Sequence, residues 1–217
     1  MDKLQPILLP PAREKVASEL RKAILSRKFR EGEELNLEGI ASLLGVSITP
    51  VREAFQVLAR DRLIELRPNK RALVLGLTKR YIRDHYQLRI ILETAACEII
   101  CEEKKKLDSL IEIFNNSEKE AENKNFDKYL ELNNSFHYAL WNITENKKLV
   151  NSLSELWNGL PLRKKIDEEE AIRTSLEEHR KILYALKEGE SIKAKKLMKE
   201  HLNRSLEDIL SNYIEEK

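Results

Sequence analysis

The sequence has little cysteine, glycine and proline, and each shortage is informative. Only two cysteines occur among 217 residues, Cys97 and Cys101, and a disulfide between positions one helical turn apart would cross-link nothing useful. We therefore interpret them as small buried hydrophobic residues of a protein in the reducing cytosol. The six glycines and six prolines leave residues 77–158 entirely free of both types. Such a stretch, rich in Leu, Glu, Lys and Ala, is typical of long helices.

Long hydrophobic runs and a dominant charge are missing as well. Apolar stretches such as residues 7–9 and 73–75 are far shorter than the ~20 residues that cross a bilayer, so we expect no membrane segment. Prolines near the N-terminus interrupt any signal-peptide core. Charged residues make up 35% of the chain and apolar residues 41%, which excludes wholesale disorder. We expect a cytoplasmic protein with a packed interior.

The distribution of glycine, proline and charge divides the chain into two predicted domains. Residues 1–76 are mildly basic and contain most of the glycine and proline, whereas residues 77–217 are mildly acidic and read as helix. Short breaks separate the helical segments of the second part, which predicts an antiparallel all-α bundle of about six helices. The predicted segments are about 78–102, 105–122, 126–143, 147–159, 168–188 and 190–214.

The first domain predicts a helix-turn-helix. A first helix follows Pro11, since proline is favoured at a first helical turn. Asn36 can cap a second helix over residues 37–44, and Gly45 can end it in the left-handed conformation. Ser47 can then cap a third helix. Two helices joined by a short turn that contains glycine are the pattern of this motif.

The third predicted helix has two distinct faces. Its apolar side consists of Val51, Ala54, Phe55 and Leu58. Its polar side consists of Thr49, Arg52, Glu53 and Gln56. Arg and Gln can form paired hydrogen bonds with guanine and adenine edges, respectively. A merely solvated polar surface is the alternative interpretation of this side.

The segment after the third helix favours the DNA-reading interpretation. Residues 63–66 and 72–75 read as strands, and the turn between them carries Arg67, Lys70 and Arg71. A β-hairpin with three cations at its tip is a wing, which can lie along a phosphate backbone or enter a minor groove. We therefore predict three helices and a β-hairpin wing that together read double-stranded DNA.

The sequence of these elements resembles a known family. Residues 45–54 read GVSITPVREA, and with Leu63-Ile64 and Arg67-Pro68-Asn69 they resemble the GntR winged-helix regulators. This chain has Ile48 where many members have Arg, and Arg71 where many have Gly. The resemblance implies that Ser47, Thr49 and Arg52 face DNA and that the wing tip enters the minor groove. The predicted DNA-binding residues are Ser47, Thr49, Arg52, Gln56, Asn69, Lys70 and Arg71.

Three histidines of the second domain lie where a bundle can bring them together. His179 is ten residues before Gly189 and His201 is twelve after it, so each lies roughly 15–18 Å from that turn at 1.5 Å per residue. His137 lies on a separate helix, with Asn133 one turn before it. Three imidazoles and an oxygen atom suit Zn²⁺, Ni²⁺ or another first-row divalent ion. From spacing alone, three unrelated histidines are the simpler interpretation.

Motifs around these histidines add a second resemblance. Phe136-His137-x-x-Leu140, Glu178-His179-x-x-Ile182-x-x-Ala185-Leu186 and His201-Leu202 resemble, in order, the FCD effector domain of the FadR branch of GntR regulators. The resemblance implies a helical bundle that binds a divalent transition metal, with Zn or Ni expected, beside a small-molecule pocket. The implied ligands are Asn133, His137, His179 and His201. Many relatives have Asp at the position of Asn133, and His85, outside the motifs, is expected at the surface.

The first helix of the second domain carries a further candidate residue. Arg89 and Glu93 are spaced i, i+4 within an R-x-x-L-E pattern, and a structural ion pair is one interpretation. The FCD resemblance instead puts Arg89 in the effector pocket, where its guanidinium holds a carboxylate. The predicted apolar face of this helix consists of Leu88, Ile91, Leu92, Ala95 and Ile99.

These features predict a homodimeric transcriptional regulator with no catalytic residues. It would bind a pseudo-palindromic operator, most simply as a repressor, with an affinity modulated by a small-molecule carboxylate bound at the metal. The alternative is a helical metalloenzyme with an accessory nucleic-acid-binding module, although no carboxylate beside the histidines is an evident general base. A purely structural interaction protein would explain neither the basic wing nor the histidines.

Overall fold

The computed structural model describes residues 12–76, 78–157 and 168–211. Within these residues the chain divides into two compact units, one that ends at Tyr81 and one that begins at Ile82. The first unit contains three helices and a small sheet, and the second is helical throughout its described part. None of the described helices has both the length and the apolarity that a membrane span requires. The predicted fold class, a winged helix-turn-helix followed by an all-α bundle, is confirmed.

The three helices of the first unit are α1 (Ala12–Leu25), α2 (Leu37–Leu44) and α3 (Ile48–Arg60). Helix α2 begins after Asn36, whose side chain accepts a hydrogen bond from the backbone N–H of Gly39 at 2.6 Å. It ends at Gly45, whose φ of 64° lies in the left-handed region that glycine adopts without strain. Ser47 occupies the predicted N-cap position of α3, but its side chain makes no capping hydrogen bond there.

A three-stranded antiparallel sheet, in the order β1–β3–β2, completes the first unit. Its strands are β1 (Glu34–Asn36), β2 (Ile64–Arg67) and β3 (Arg71–Val74). Strands β2 and β3 form the predicted hairpin, with Arg67 opposite Arg71 at the tip. Asn69 and Lys70 supply the left-handed turn residues, both with φ of 60°, so Arg71 sits in a strand and needs no glycine-like backbone. Strand β1 was not predicted, because three residues are too few to show an alternating pattern.

Six helices form the described part of the second unit, and the first of them begins three residues before the boundary at Ile82. They are α4 (Lys79–Glu102), α5 (Asp108–Glu122), α6 (Phe126–Ile143), α7 (Lys147–Trp157), α8 (Glu168–Lys187) and α9 (Ser191–Ser211). Helix α5 packs against α6 and α8, α6 also packs against α7, and α8 packs against α9. These bounds agree with the predicted segments within a few residues. The predicted ends at 159 and 214, and the residues before 12, lie outside the described residues.

The buried face of α4 is not the face that the apolar pattern predicted. Leu88 and Ile91, which were expected in the core, are 43% and 62% exposed. The face that is buried instead consists of Ile82, His85, Tyr86, Arg89, Glu93, Ala96, Cys97, Ile100 and Cys101. Arg89 and Glu93 can lie on this face because they pair with each other. Their charges interrupt its hydrophobic pattern, which explains why the prediction was wrong.

Two further predictions concern single residues of α4. His85 was expected at the surface but is only 6% exposed, and its ring packs edge-on against Tyr86. That expectation is therefore wrong, because His85 shares the buried face one turn before Arg89. The predicted burial of the two cysteines is confirmed, since Cys97 and Cys101 are both buried, and both are free thiols. Burial raises the pKa of both thiols, which keeps them protonated.

Candidate metal centre and nucleic-acid interface

Three histidine side chains from three helices converge inside the second unit. His137 lies on α6, His179 on α8 and His201 on α9, and all three are buried. One ring nitrogen from each lies within 4.8 Å of the other two. The Nε2 atom of His201 is 3.3 Å from Nε2 of His179 and 3.4 Å from Nε2 of His137. Histidine nitrogen atoms gathered in this way form a donor set that could hold a divalent transition-metal ion.

The far side of two of these rings is occupied by glutamates. Nδ1 of His137 lies 2.7 Å from Oε2 of Glu93 on α4, and Nδ1 of His201 lies 2.7 Å from Oε2 of Glu178 on α8. An ionised carboxylate can only accept a hydrogen bond, so each Nδ1 must carry the proton and donate it. In a neutral imidazole this leaves the lone pair on Nε2, the nitrogen that faces the other histidines.

Each glutamate is held in turn by an arginine. Nε of Arg89 donates to Oε1 of Glu93 at 2.8 Å, and Nε of Arg204 donates to Oε1 of Glu178 at 2.6 Å. Although burial alone raises the pKa of a carboxyl group, Arg89 and His137 lower the pKa of Glu93 to about 2. His201 and Arg204 likewise outweigh burial and lower the pKa of Glu178 to about 2. Both glutamates are therefore charged at neutral pH.

Sequence reasoning missed the roles of Glu178 and Arg204. In the sequence, Glu178 stood out only as the neighbour of His179. Its contact with His201 depends on the packing of α8 against α9, which the spacing of these two residues in the chain does not indicate. Arg204 contacts both oxygens of Glu178 and also donates to Asp208 one turn later at 2.5 Å. The ion-pair interpretation of Arg89 and Glu93 describes what the structure contains, and the additional hydrogen bond that His137 donates to Glu93 was not anticipated.

The third histidine is held differently. The ring of His179 stacks on Phe136 with ring centroids 4.1 Å apart and an angle of 14° between the planes. Burial, reinforced by the neighbouring histidines, lowers the pKa of His179 well below its usual range. Burial also lowers the pKa of His201 to about 4, even though Glu178 opposes that shift. These rings are therefore neutral at physiological pH, which is the form that binds metals.

Asn133, the predicted oxygen ligand, lies on α6 one turn before His137. Its side chain is half-buried, and its Oδ1 lies 3.5 Å from Oγ of Ser175, which donates to it. Ser175 in turn lies one turn before His179 on α8. The Asn133–Ser175 contact thus joins α6 and α8 on the turn that precedes the two histidines.

In the first unit, the polar face of α3 is free of core contacts. Thr49, Arg52 and Gln56 are exposed, as is Ser47 at the N-cap, while the opposite face of α3 is buried. The residues of that buried face are Val51, Ala54, Phe55 and Leu58. The two-sided character predicted for this helix is therefore confirmed, with the predicted DNA-reading side chains on its accessible side.

The wing residues Asn69, Lys70 and Arg71 are also exposed, and two of them pair with acidic side chains. Nζ of Lys70 lies 2.9 Å from Glu38, and Nη1 of Arg71 lies 2.6 Å from Glu34. Together these residues line an open cleft of about 420 Å³ between the wing tip and the β1–α2 junction. The acidic partners were not anticipated, because they lie more than thirty residues away in the chain.

Comparison with known proteins covers both units. The model of the bacterial regulatory proteins of the gntR family matches residues 12–74, and the FCD domain model matches residues 84–204. The chain is 28% identical over 197 residues to the HTH-type transcriptional regulator YdhC of Bacillus subtilis, and the match covers 88% of each protein. It is also 28% identical over 209 residues to the gluconate operon transcriptional repressor of Bacillus licheniformis, covering 90% of this chain and 82% of that one.

A solved structure shares the fold. E. coli McbR/YncC superposes with a TM-score of 0.71 at 21% identity, and the match covers 95% of this chain and all of the other. The names of the family and of these relatives point to transcriptional regulators, not to enzymes. Because the FCD match alone spans more than half of the sequence and the gntR match precedes it, the chain belongs to the GntR family of bacterial transcriptional regulators that carry an FCD domain.

Proposed function

We propose that this chain is a cytoplasmic homodimeric repressor of the FadR branch, whose affinity for a pseudo-palindromic operator is modulated by a small carboxylate bound at a metal ion. Residues 1–76 would form the DNA-binding domain, and residues 77–217 the effector-binding and dimerisation domain. The observation that carries the proposal is the convergence of three buried Nε2 atoms in a chain that also exposes a polar recognition helix.

DNA reading would use α3 and the wing. Arg52 and Gln56 lie one turn apart on the exposed face of α3, where they can approach base edges, and Ser47 and Thr49 can reach phosphates. Asn69 at the turn, together with Lys70 and Arg71, would contact the backbone or the minor groove. A twofold-symmetric dimer presents two such surfaces, which is why we propose a pseudo-palindromic operator.

Metal binding would use His137, His179 and His201, with Asn133 as an oxygen ligand. Imidazole nitrogen suits Zn²⁺ and Ni²⁺ among the available divalent ions, and we propose one of these two. A neutral amide oxygen in place of a carboxylate would leave the site with four neutral ligands. With four neutral ligands, the positive charge of the ion would not be compensated, so we propose that the site takes an additional, negatively charged ligand.

The charges around the histidines support an anionic effector. The three imidazoles are neutral ligands, and the two adjacent carboxylates, Glu93 and Glu178, are already paired with arginines. The charge of a divalent ion would therefore have little compensation from the protein, and a buried uncompensated charge is costly. A carboxylate at the open coordination position would supply that compensation. Its other end would reach Arg89, whose guanidinium it would share with Glu93.

Regulation would follow from linkage between the two domains. In the dimer, the two winged-helix domains would adopt at least two arrangements that differ in operator affinity. An effector that binds one arrangement more tightly would raise or lower operator affinity by the difference in its own affinity for the two arrangements. A repressor is favoured because one full-length relative is named as the gluconate operon transcriptional repressor. The name of that relative suggests sugar acids as a first group of compounds to screen.

Native mass spectrometry of the purified protein tests the proposal most directly. We expect a dimer whose mass includes one metal ion per chain and a small anion. A duplex-binding titration at several salt concentrations should show a steep salt dependence. A monomer without metal, or a duplex affinity that is independent of salt, would contradict the proposal, and turnover of a substrate would favour the metalloenzyme alternative.

A further inference from the structure

Two of the three clustered histidines share a feature that the third lacks. His137 and His201 each donate Nδ1–H to a glutamate, and each glutamate also accepts hydrogen bonds from an arginine. His179 stacks on Phe136 and, among the described residues, has no carboxylate at its ring. The two glutamates come from different helices, α4 and α8, so one helical motif does not explain the repetition.

We propose that Glu93 and Glu178 are positioning residues of the metal site, which fix His137 and His201 in the tautomer and ring orientation that present Nε2 to the ion. This inference rests on the metal binding proposed above. It adds two residues that would touch no metal and yet set the affinity for it.

The argument starts from the chemistry of imidazole. A neutral histidine carries its proton on either Nδ1 or Nε2, and only the unprotonated nitrogen can bind a metal. If Nε2 carried the proton, an N–H bond would point into the cluster and exclude the ion. A carboxylate 2.7 Å from Nδ1 removes this possibility, because it can accept a hydrogen bond but cannot donate one.

The arginines explain why the glutamates can act in this way inside a bundle. Nε and Nη2 of Arg89 both contact Oε1 of Glu93, so that Oε2 remains for His137. Arg204 contacts both oxygens of Glu178, and Oε2 also accepts from His201. Each carboxylate thus keeps its charge and a single orientation. Partners of this kind typically alter metal affinity by 10–100-fold when they are removed.

Glu178 offers the cleaner test of the two. The side chain of Glu93 is fully buried beside Arg89, so neutralising it would strand a buried cation and endanger folding. The side chain of Glu178 is 23% exposed, as is that of Arg204, which also keeps Asp208 as a partner. Glu178→Gln preserves the size of the side chain but introduces an amide that can either donate or accept. The substitution therefore allows His201 to carry its proton on either ring nitrogen, with little change in packing.

Glu98→Gln is the matched control. Glu98 on α4 pairs with Lys195 on α9, so it also joins two helices of the bundle through an ion pair, yet among the described residues it has no ion pair with a histidine. Wild type and both variants, stripped of metal and checked for helical content by circular dichroism, would be titrated with Zn²⁺ against a chromophoric chelator. We expect Glu178→Gln to bind Zn²⁺ about 10–100-fold more weakly and Glu98→Gln to match wild type.

The tautomer itself supplies a second readout, from ¹⁵N chemical shifts of histidine in the metal-free protein. We expect His201 to be protonated on Nδ1 in wild type and in Glu98→Gln, and to gain an Nε2-protonated population in Glu178→Gln. Equal Zn²⁺ affinity of wild type and Glu178→Gln, or equal loss in both variants, overturns the inference and leaves the proposed function intact. If wild type itself binds no Zn²⁺ or Ni²⁺, the proposed metal site and the inference fail together.

Discussion

The Nε2 atoms of His137 and His201 lie 3.4 Å apart, although 64 residues separate these histidines in the chain. Both rings donate Nδ1–H to a glutamate, so in their neutral forms both Nε2 atoms direct a lone pair towards the same small space. Two acceptors at this distance repel each other unless a cation lies between them. A metal ion bound by both nitrogens would relieve this repulsion, and the metal site proposed above therefore requires the folded chain, which brings the two histidines together.

Metal removal should lower the melting temperature of the protein. A ligand that binds only the folded state stabilises it by about 2.7 kcal/mol at a hundredfold excess over its dissociation constant. We expect a chelator to lower the melting temperature measured by circular dichroism, and Zn²⁺ or Ni²⁺ to restore it. His179→Ala should abolish this response. Tyr184→Ala is a suitable control, because Tyr184 lies on the same helix and is 57% exposed.

His85→Ala is unsuitable as a control because His85 is buried. The metal proposal would be wrong if metal-free protein, verified by elemental analysis, melted at the same temperature as the loaded protein. It would also be wrong if that metal-free protein bound the effector unchanged. In that case the three histidines would be packing residues, and Arg89 would remain as the polar anchor proposed for the effector.

Asn133→Asp should tighten metal binding. A carboxylate replaces a neutral amide oxygen, and the added charge attracts a divalent ion more strongly. The substitution keeps an acceptor for the Ser175 hydroxyl, so the contact between α6 and α8 is preserved. The affinity for Zn²⁺ would be measured by chelator competition, with Asn133→Ala as the variant that lacks any oxygen ligand. If both variants bind like wild type, Asn133 is not a ligand.

The metal-free protein should lose stability as the pH falls below neutrality. The pKa of His201 is about 4 in the folded protein against 6.5 when unperturbed, so the unfolded chain takes up a proton that the folded chain does not. The free energy of unfolding therefore decreases as the pH falls from about 6.5 to about 4, with each pKa unit worth about 1.4 kcal/mol. The lowered pKa values of Glu93 and Glu178 extend the loss from about pH 4.5 to 2.

Urea unfolding at a series of pH values, with a chelator present, measures this dependence. His201→Gln should flatten the curve between pH 6.5 and 4, because it removes one of the groups whose pKa differs between the two states. A variant with the same slope as wild type over this range would show that His201 remains accessible to protons in the folded protein.

The sequence indicated the winged helix almost completely because its signals are local. Asn36 and Gly45 fix the ends of α2 through their own backbone preferences, and the wing follows from short strands around a basic turn. Counting along the α8–α9 hairpin also placed His179 and His201 at a similar height, since helical rise is constant. Such features depend on residues that are close in sequence or on the constant rise of a helix, so they can be predicted without knowing how the helices pack.

The buried face of α4 and the partners of the histidines could not be predicted in this way. The face that carries Arg89 and Glu93 looks polar, and it is buried only because its charges are satisfied by each other and by His137. The bond between Glu178 and His201 depends on how α8 packs on α9, which no local pattern specifies. Buried polar networks are where hydrophobic periodicity misleads, because pairing replaces apolarity as the condition for burial.

Arg52→Ala should weaken binding to the cognate operator by about 1–3 kcal/mol, through loss of a charged contact with a base edge or phosphate. Arg52 is exposed on α3, so the melting temperature should barely change. The affinity would be measured by fluorescence anisotropy with the operator and with an unrelated duplex. Arg83→Ala removes one positive charge from an exposed position of α4 and serves as the control. Unchanged operator affinity of Arg52→Ala would remove this residue from the reading surface.

Neutralising the wing should weaken binding to the operator and to unrelated duplexes alike. Lys70→Gln and Arg71→Gln should each flatten the dependence of log affinity on log salt by about one unit per lost phosphate contact. Glu38→Gln should have the opposite effect on affinity, because Glu38 pairs with Lys70 and competes with phosphate for it. The exposed pair adds little to stability, so all three variants should melt like wild type. A salt slope that both Lys70→Gln and Arg71→Gln leave unchanged, together with an unaltered affinity of Glu38→Gln, would show that the wing does not touch phosphate.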